Sequence, residues 1–127
     1  MERWDTLWPG GWTFCFDDGA FKPSTDSFLL GSFPPLRKNW RVCDLGAGTG
    51  LLGLLLLARE PALTVTGLEL SPAACALAAR TAAANDLSDR LVTLPCALRE
   101  RSQLPQAGSF DLAVSNPPYF PAGSGRA

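Results

Sequence analysis

The stretch "WRVCDLGAGTGLLGLLLLARE", residues 40–60, constrains the fold of this chain more than any other. A short apolar run ends in Asp44, the glycines Gly46, Gly48 and Gly50 follow, and a leucine-rich run continues until Pro61. Glycine reaches backbone conformations that other residues avoid, so this loop can turn extended chain abruptly into helix. The pattern reads as strand, tight turn, helix. The same unit recurs downstream. "LTVTGLEL" is a second strand, and "SPAACALAARTAAAND" is a helix with Ser71 as cap and Pro72 at its first position. Asn85-Asp86 ends that helix and is assigned no further role. "RLVTLP" is a third strand, and a fourth is expected over 110–115 around "FDLAV". Strands and helices alternating through short connections imply parallel strands joined by right-handed crossovers. The expected fold is α/β, a doubly wound, mostly parallel sheet.

The chain divides into an aromatic-rich segment with a short helix, 1–39, and the α/β part, 40–127. All four tryptophans fall within the first 40 residues. There "WTFCF" reads as a short strand or hairpin, and "STDSFLLGSF" as a helix capped by Ser24, Thr25 or Asp26. A net charge of −1 excludes a strongly basic face over the whole molecule. Arg37, Lys38 and Arg41 form the one tight basic cluster and read as a solvated loop. Cys15, Cys43, Cys75 and Cys96 make no C-x-x-C pair, so no metal site is expected and the thiols read as core residues of a protein in a reducing cytoplasm. The chain has no histidine, which closes mechanisms that need an imidazole base. "LLGLLLLA" is far shorter than the roughly 20 residues that span a bilayer.

The glycine loop has two acidic neighbours. Asp44 precedes it, and Glu69 closes the second strand at the distance where a carboxylate grips a ribose hydroxyl pair. A dinucleotide fingerprint would place its third glycine where Leu51 stands. Asp44 would also repel a pyrophosphate. A cationic ligand reverses that logic: the ammonium and sulfonium of S-adenosylmethionine are both attracted to Asp44.

"DLGAGTG", "GLEL" and "NPPYF", in this order, resemble the class I S-adenosylmethionine-dependent methyltransferases. With "FKPSTDSFLLGSF" upstream and "NPPYFPAGSG" downstream, residues 14–125 resemble the bacterial tRNA adenine-N6 methyltransferases. The resemblance implies a Rossmann-like sheet, S-adenosyl-L-methionine as cofactor, an RNA substrate with tRNA foremost, and a cytoplasmic setting. It implies that Asp44, Gly46, Ala47, Gly48, Gly50 and Glu69 bind the cofactor, with Thr25 and Asp26 over its methionine end. Asn-Pro-Pro-Tyr is shared with methyltransferases of protein glutamine and of guanine in ribosomal RNA, so those substrates stay open. So does a non-catalytic cofactor-binding module.

The resemblance also gives Asn-Pro-Pro-Tyr a chemistry. An exocyclic amine is a poor nucleophile because its lone pair is delocalised into the adjacent π-system. The Asn116 side-chain oxygen and the Pro117 carbonyl would accept its hydrogens and turn the lone pair outward, while Tyr119 offers an aromatic face. Catalysis would rest on positioning and electrostatics. One departure stands out. Ala97 occupies the position where the family commonly has an acidic residue for the cofactor's adenine, leaving backbone groups around Cys96 and Ala97 and the apolar side chains of Leu98 and Leu70 for that role. The family sheet also has further strands beyond the fourth. Their absence leads to the expectation of a fragment of a longer enzyme or a truncated relative, with a dimer joined through the exposed sheet edge as a further expectation.

Overall fold

The computed structural model describes residues 2–17, 31–96 and 109–115. Its elements are β1 (Glu2–Thr6), β2 (Thr13–Asp17), β3 (Arg41–Leu45), α1 (Leu51–Arg59), β4 (Thr64–Glu69), α2 (Pro72–Ala84), β5 (Leu91–Pro95) and β6 (Leu112–Ser115). Four strands form one sheet in the order β5-β4-β3-β6, and every pairing in it is parallel. The chain winds outward from β3 in one direction to β4 and β5, and in the other to β6. Between β3 and β6 the winding therefore reverses, and a crevice opens at their carboxyl ends. The doubly wound α/β sheet expected from the sequence is the sheet observed.

Register places Leu91, Val65, Val42 and Leu112 in one row across the sheet. α1 packs Leu51, Leu54 and Leu57 into the same apolar core. Leu54, Leu56 and Leu57 are fully buried, which accounts for a helix apolar on nearly every side. Each such leucine contributes about 1.5–3 kcal/mol through burial. Gly53 lets α1 approach closely, because a Cβ there would stand 2.9 Å from both Leu91 and Val65 side-chain carbons. The other face of the sheet carries Cys43 and Leu68, which cluster with Cys96, Leu45 and Phe110.

α2 begins as its sequence demands. Ser71 accepts from the Ala74 amide at 3.2 Å, and Pro72 takes the first helical position. Its end corrects the sequence reading, because Asn85 does more than cap. The Asn85 side chain accepts from the Thr13 amide at 2.9 Å and donates to the carbonyls of Thr13 and Thr81, both at 2.7 Å. One residue thus closes a helix and clasps β2 to it. The Cys15 amide adds a bond to Thr81 Oγ1 at 2.8 Å.

β1 is an element that the sequence did not announce. It pairs antiparallel with β2, from Glu2 opposite Asp17 to Thr6 opposite Thr13. All five of its residues are exposed, so no alternation of apolar side chains marks it as a strand. Glu2 pairs with Arg80 of α2, and Phe14 of β2 enters the main core. At the amino-terminal edge of the large sheet, Arg41 pairs with Asp111 at 3.7 Å, which accounts for one member of the basic cluster. No helix among the described residues is long and apolar enough to cross a membrane. The helix expected over "STDSFLLGSF" falls outside the described residues except at its end, where Gly31 and Ser32 are helical.

Candidate functional site

The loop after β3 stands at the crevice. Gly46, Gly48 and Gly50 all adopt positive φ (70°, 58° and 84°), a region costly for residues with a side chain. The amides of Gly46 and Ala47 both donate to the Leu68 carbonyl, at 2.8 and 3.0 Å, so the loop is tied down onto β4. A Cβ added at Gly46 or Gly48 would meet nothing within 4 Å among the described residues. That side of the loop is open for a ligand to approach the backbone. Gly50 caps α1 without a side-chain hydrogen bond, and the first amides of a helix have no partner within it.

A second row of the sheet, two residues beyond the apolar one, consists of Thr93, Gly67, Asp44 and Val114. Gly67 is the gap that seats the loop: a Cβ there would fall 2.6 Å from the Ala47 Cβ and 3.2 Å from Thr93 Oγ1. The sequence did not single it out, although a glycine inside a strand is itself a signal of close backbone approach. Asp44 is 1% exposed, and its Oδ1 has no hydrogen-bond partner among the described residues; the same holds for Thr93 Oγ1. An unpartnered buried carboxylate is costly, and burial pushes its carboxyl up to about 7, with the charge of Glu69 adding to the effect.

Glu69, at the end of β4, holds two backbone groups. Its Oε1 accepts from the Gly48 amide at 2.7 Å, and its Oε2 from the Ser71 amide at 2.9 Å. The carboxylate therefore braces the glycine loop against the start of α2. Each oxygen keeps a further lone pair for another donor. Burial raises the thiols of Cys43 and Cys75, with Asp44 and Glu69 respectively reinforcing it, so neither is a ready nucleophile.

Asp44, Gly46, Ala47, Gly48, Gly50 and Glu69 thus meet at the crevice mouth. Leu70 follows them with 70% of its surface exposed, an apolar side chain free for contact. Ser115, the last described residue of β6, lies opposite Leu45 at the same edge. Beside it opens an apolar cavity of about 260 Å³, lined by Phe33, Pro34, Leu52, Leu112 and Val114. Asn116, Pro117, Tyr119, Ala97, Thr25 and Asp26 lie outside the described residues. The geometry fits a cationic ligand: a buried acceptor without a donor among the described residues, an open glycine loop above it, and a second carboxylate on the neighbouring strand.

Comparison with known proteins gives a consistent family. A model of the methyltransferase small domain matches residues 14–125. The tRNA1(Val) (adenine(37)-N6)-methyltransferase of Dickeya chrysanthemi is 40% identical over 129 residues, covering 97% of this chain and 51% of that protein. The enzyme of the same name from Aeromonas hydrophila is 41% identical over 108 residues, 84% of this chain and 44% of its own length. The chain therefore spans about half the length of these curated relatives. Among solved structures, TrmN from Thermus thermophilus superposes with a TM-score of 0.60 at 26% identity, covering 72% of this chain and 27% of that one. With a family model matched along most of its length and the sheet order above, the chain belongs to the methyltransferase small domain family.

Proposed function

We propose that this chain carries the donor site of an S-adenosylmethionine-dependent N-methyltransferase acting on the exocyclic amine of adenine in tRNA. The observation that carries the cofactor assignment is Asp44, whose buried Oδ1 has no donor among the described residues and is set beneath an open glycine loop. A phosphate-bearing dinucleotide would meet repulsion there, whereas the cationic methionine end of the donor meets attraction. The substrate assignment rests on relatives named tRNA adenine-N6 methyltransferases, among them the two above that match this chain at 40% and 41% identity.

Bound S-adenosylmethionine supplies an electrophilic methyl group on a positively charged sulfur. The chain's own residues would then act as follows. Asp44 anchors the cationic end of the donor. Glu69 accepts from the ribose hydroxyls with the lone pairs left over from Gly48 and Ser71. Gly46, Ala47, Gly48 and Gly50 let the ligand approach the backbone. Leu70 covers the adenine, helped by backbone groups near Ala97, and Thr25 and Asp26 close over the methionine. Asn116 and Pro117 accept the hydrogens of the substrate amine, and Tyr119 stacks on the base. None of these roles needs a proton-accepting side chain, which agrees with a chain that has no histidine. Activity on tRNA would place the protein in the cytoplasm.

The test is transfer of labelled methyl from donor to unmodified tRNA, run beside ribosomal RNA and a release factor, with this chain and with a form extended to the relatives' length. Label in tRNA adenine supports the reading. Label in rRNA guanine or in protein glutamine would keep the cofactor assignment and replace the substrate. Donor binding without transfer by either form would favour a non-catalytic module.

A further inference from the structure

We propose that Asp44 is a proton-exchanging anchor: it holds a proton in a large share of empty chains at neutral pH and releases it when a cationic methyl donor enters. This rests on the donor assignment above and deepens it. The geometry leaves the carboxyl few ways to carry a charge. Asp44 is 1% exposed, and its Oδ1 has no hydrogen-bond donor among the described residues. The opposing residues are chemically poor. From β4 come Gly67, which has no side chain, and the carboxylate of Glu69, which repels a second negative charge. From β6 comes Val114, and from β5, one strand further on, Thr93. From α1 come only leucines and Gly53 until Ala58 and Arg59 at its far end. Cys43 and Cys96 lie on the other face of the sheet, and Cys75 stands beside Glu69. Among the described residues no cation faces Asp44, so a charged Asp44 lacks a partner until a ligand provides one.

The exchange balances simply. The carboxyl O–H bond breaks, its proton passes to solvent, and the carboxylate left behind pairs with the positive charge of the ligand. If the donor binds only the carboxylate form, apparent affinity scales with the fraction of chains in that form. With a midpoint at about 7, affinity should be about tenfold weaker at pH 6 than at pH 8. Binding at pH 7 should release about half a proton per donor, falling towards zero above pH 9.

The experiment is calorimetric titration of the chain with S-adenosylmethionine in paired buffers of low and high ionisation enthalpy, from pH 6 to pH 9. A second measurement follows the carbon-13 shift of the Asp44 carboxyl in the free chain. The expected results are proton release that falls steadily from nearly one proton at pH 6 towards zero at pH 9, a pH-dependent affinity, and a carboxyl midpoint near 7. Asp44→Asn should bind the donor weakly and lose the pH dependence. Tight binding with flat affinity and no proton release would overturn the exchange while leaving the donor assignment standing. Absence of donor binding at every pH would overturn both. A free-chain midpoint near 4 would overturn the exchange whatever the calorimetry gives.

Discussion

Replacing Asp44 by asparagine should stabilise the empty chain, and should do so more strongly as the pH rises. Its carboxyl is held at about 7 in the folded chain against an ordinary value of 3.8, chiefly by burial and secondarily by Glu69. The sign follows from proton counts. Below pH 3.8 both folded and unfolded chains hold the proton, and Asp44 costs nothing through ionisation. Between 3.8 and about 7 the unfolded chain has lost the proton and the folded chain keeps it, so stability falls as pH rises. Above that window the folded chain carries a buried charge and the loss is complete. Between pH 5 and pH 8 the cost grows by at most about 2.5 kcal/mol, at 1.36 kcal/mol for each decade. That is a large share of the 5–15 kcal/mol that typically holds a domain together.

Asparagine keeps the shape of the side chain and removes the titration. Its own buried amide has a cost too, but the same cost at both pH values. The other ionisable groups are common to both proteins, and the cysteines whose thiols are raised titrate above this window. Thermal unfolding by circular dichroism at pH 5 and pH 8 therefore isolates the carboxyl. The melting temperature of Asp44→Asn relative to wild type should be higher at pH 8 than at pH 5 by about 8–12 °C. Added S-adenosylmethionine should narrow that gap at pH 8 by stabilising wild type alone. An offset equal at both pH values would show that Asp44 is ionised throughout, and the reasoning from its burial would fail.

Glu69→Ala should weaken donor binding by about 1.5–3 kcal/mol, the range for a charged hydrogen bond, and speed amide exchange at Gly48; unchanged calorimetric affinity would remove Glu69 from the site. Gly67→Ala drives a methyl group into Ala47 at 2.6 Å, so it should lift the glycine loop and cost about 1–3 kcal/mol by denaturant unfolding, with donor affinity falling in parallel; an unaltered affinity would mean that the loop is not seated through Gly67. Asn85→Ala removes two hydrogen bonds joining α2 to β2 and a third within α2, and should cost about 2 kcal/mol while leaving donor affinity nearly unchanged, because the clasp lies away from the crevice; a large loss of affinity would link the hairpin to the site.

What could be read from the sequence was what neighbouring residues decide among themselves. Ser71 and Pro72 mark the start of α2 because capping is settled within one turn. The three glycines mark the loop because each needs its own positive φ. β1 gave no sign, since its residues are all exposed and its existence depends on a partner strand beyond the turn. Asn85 was read as a helix end because the strand it clasps lies 72 residues earlier. Gly67 needed Ala47 to be placed opposite it before its purpose could be seen.

Asp44 shows how local and distant information combine at the site. Two residues further in, the row of Leu91, Val65, Val42 and Leu112 is apolar throughout, as a sheet under a leucine helix should be. The next row, Thr93, Gly67, Asp44 and Val114, occupies the same face at the carboxyl edge, yet it carries two polar atoms without a partner among the described residues, and a missing side chain. An apolar residue in place of Asp44 would make a more stable sheet, because nothing among the described residues answers the carboxylate. The change from one row to the next is therefore where the protein's own packing stops and a ligand's contribution is required. A carboxylate there is costly to the empty fold, and that cost is recovered only from a ligand that brings positive charge.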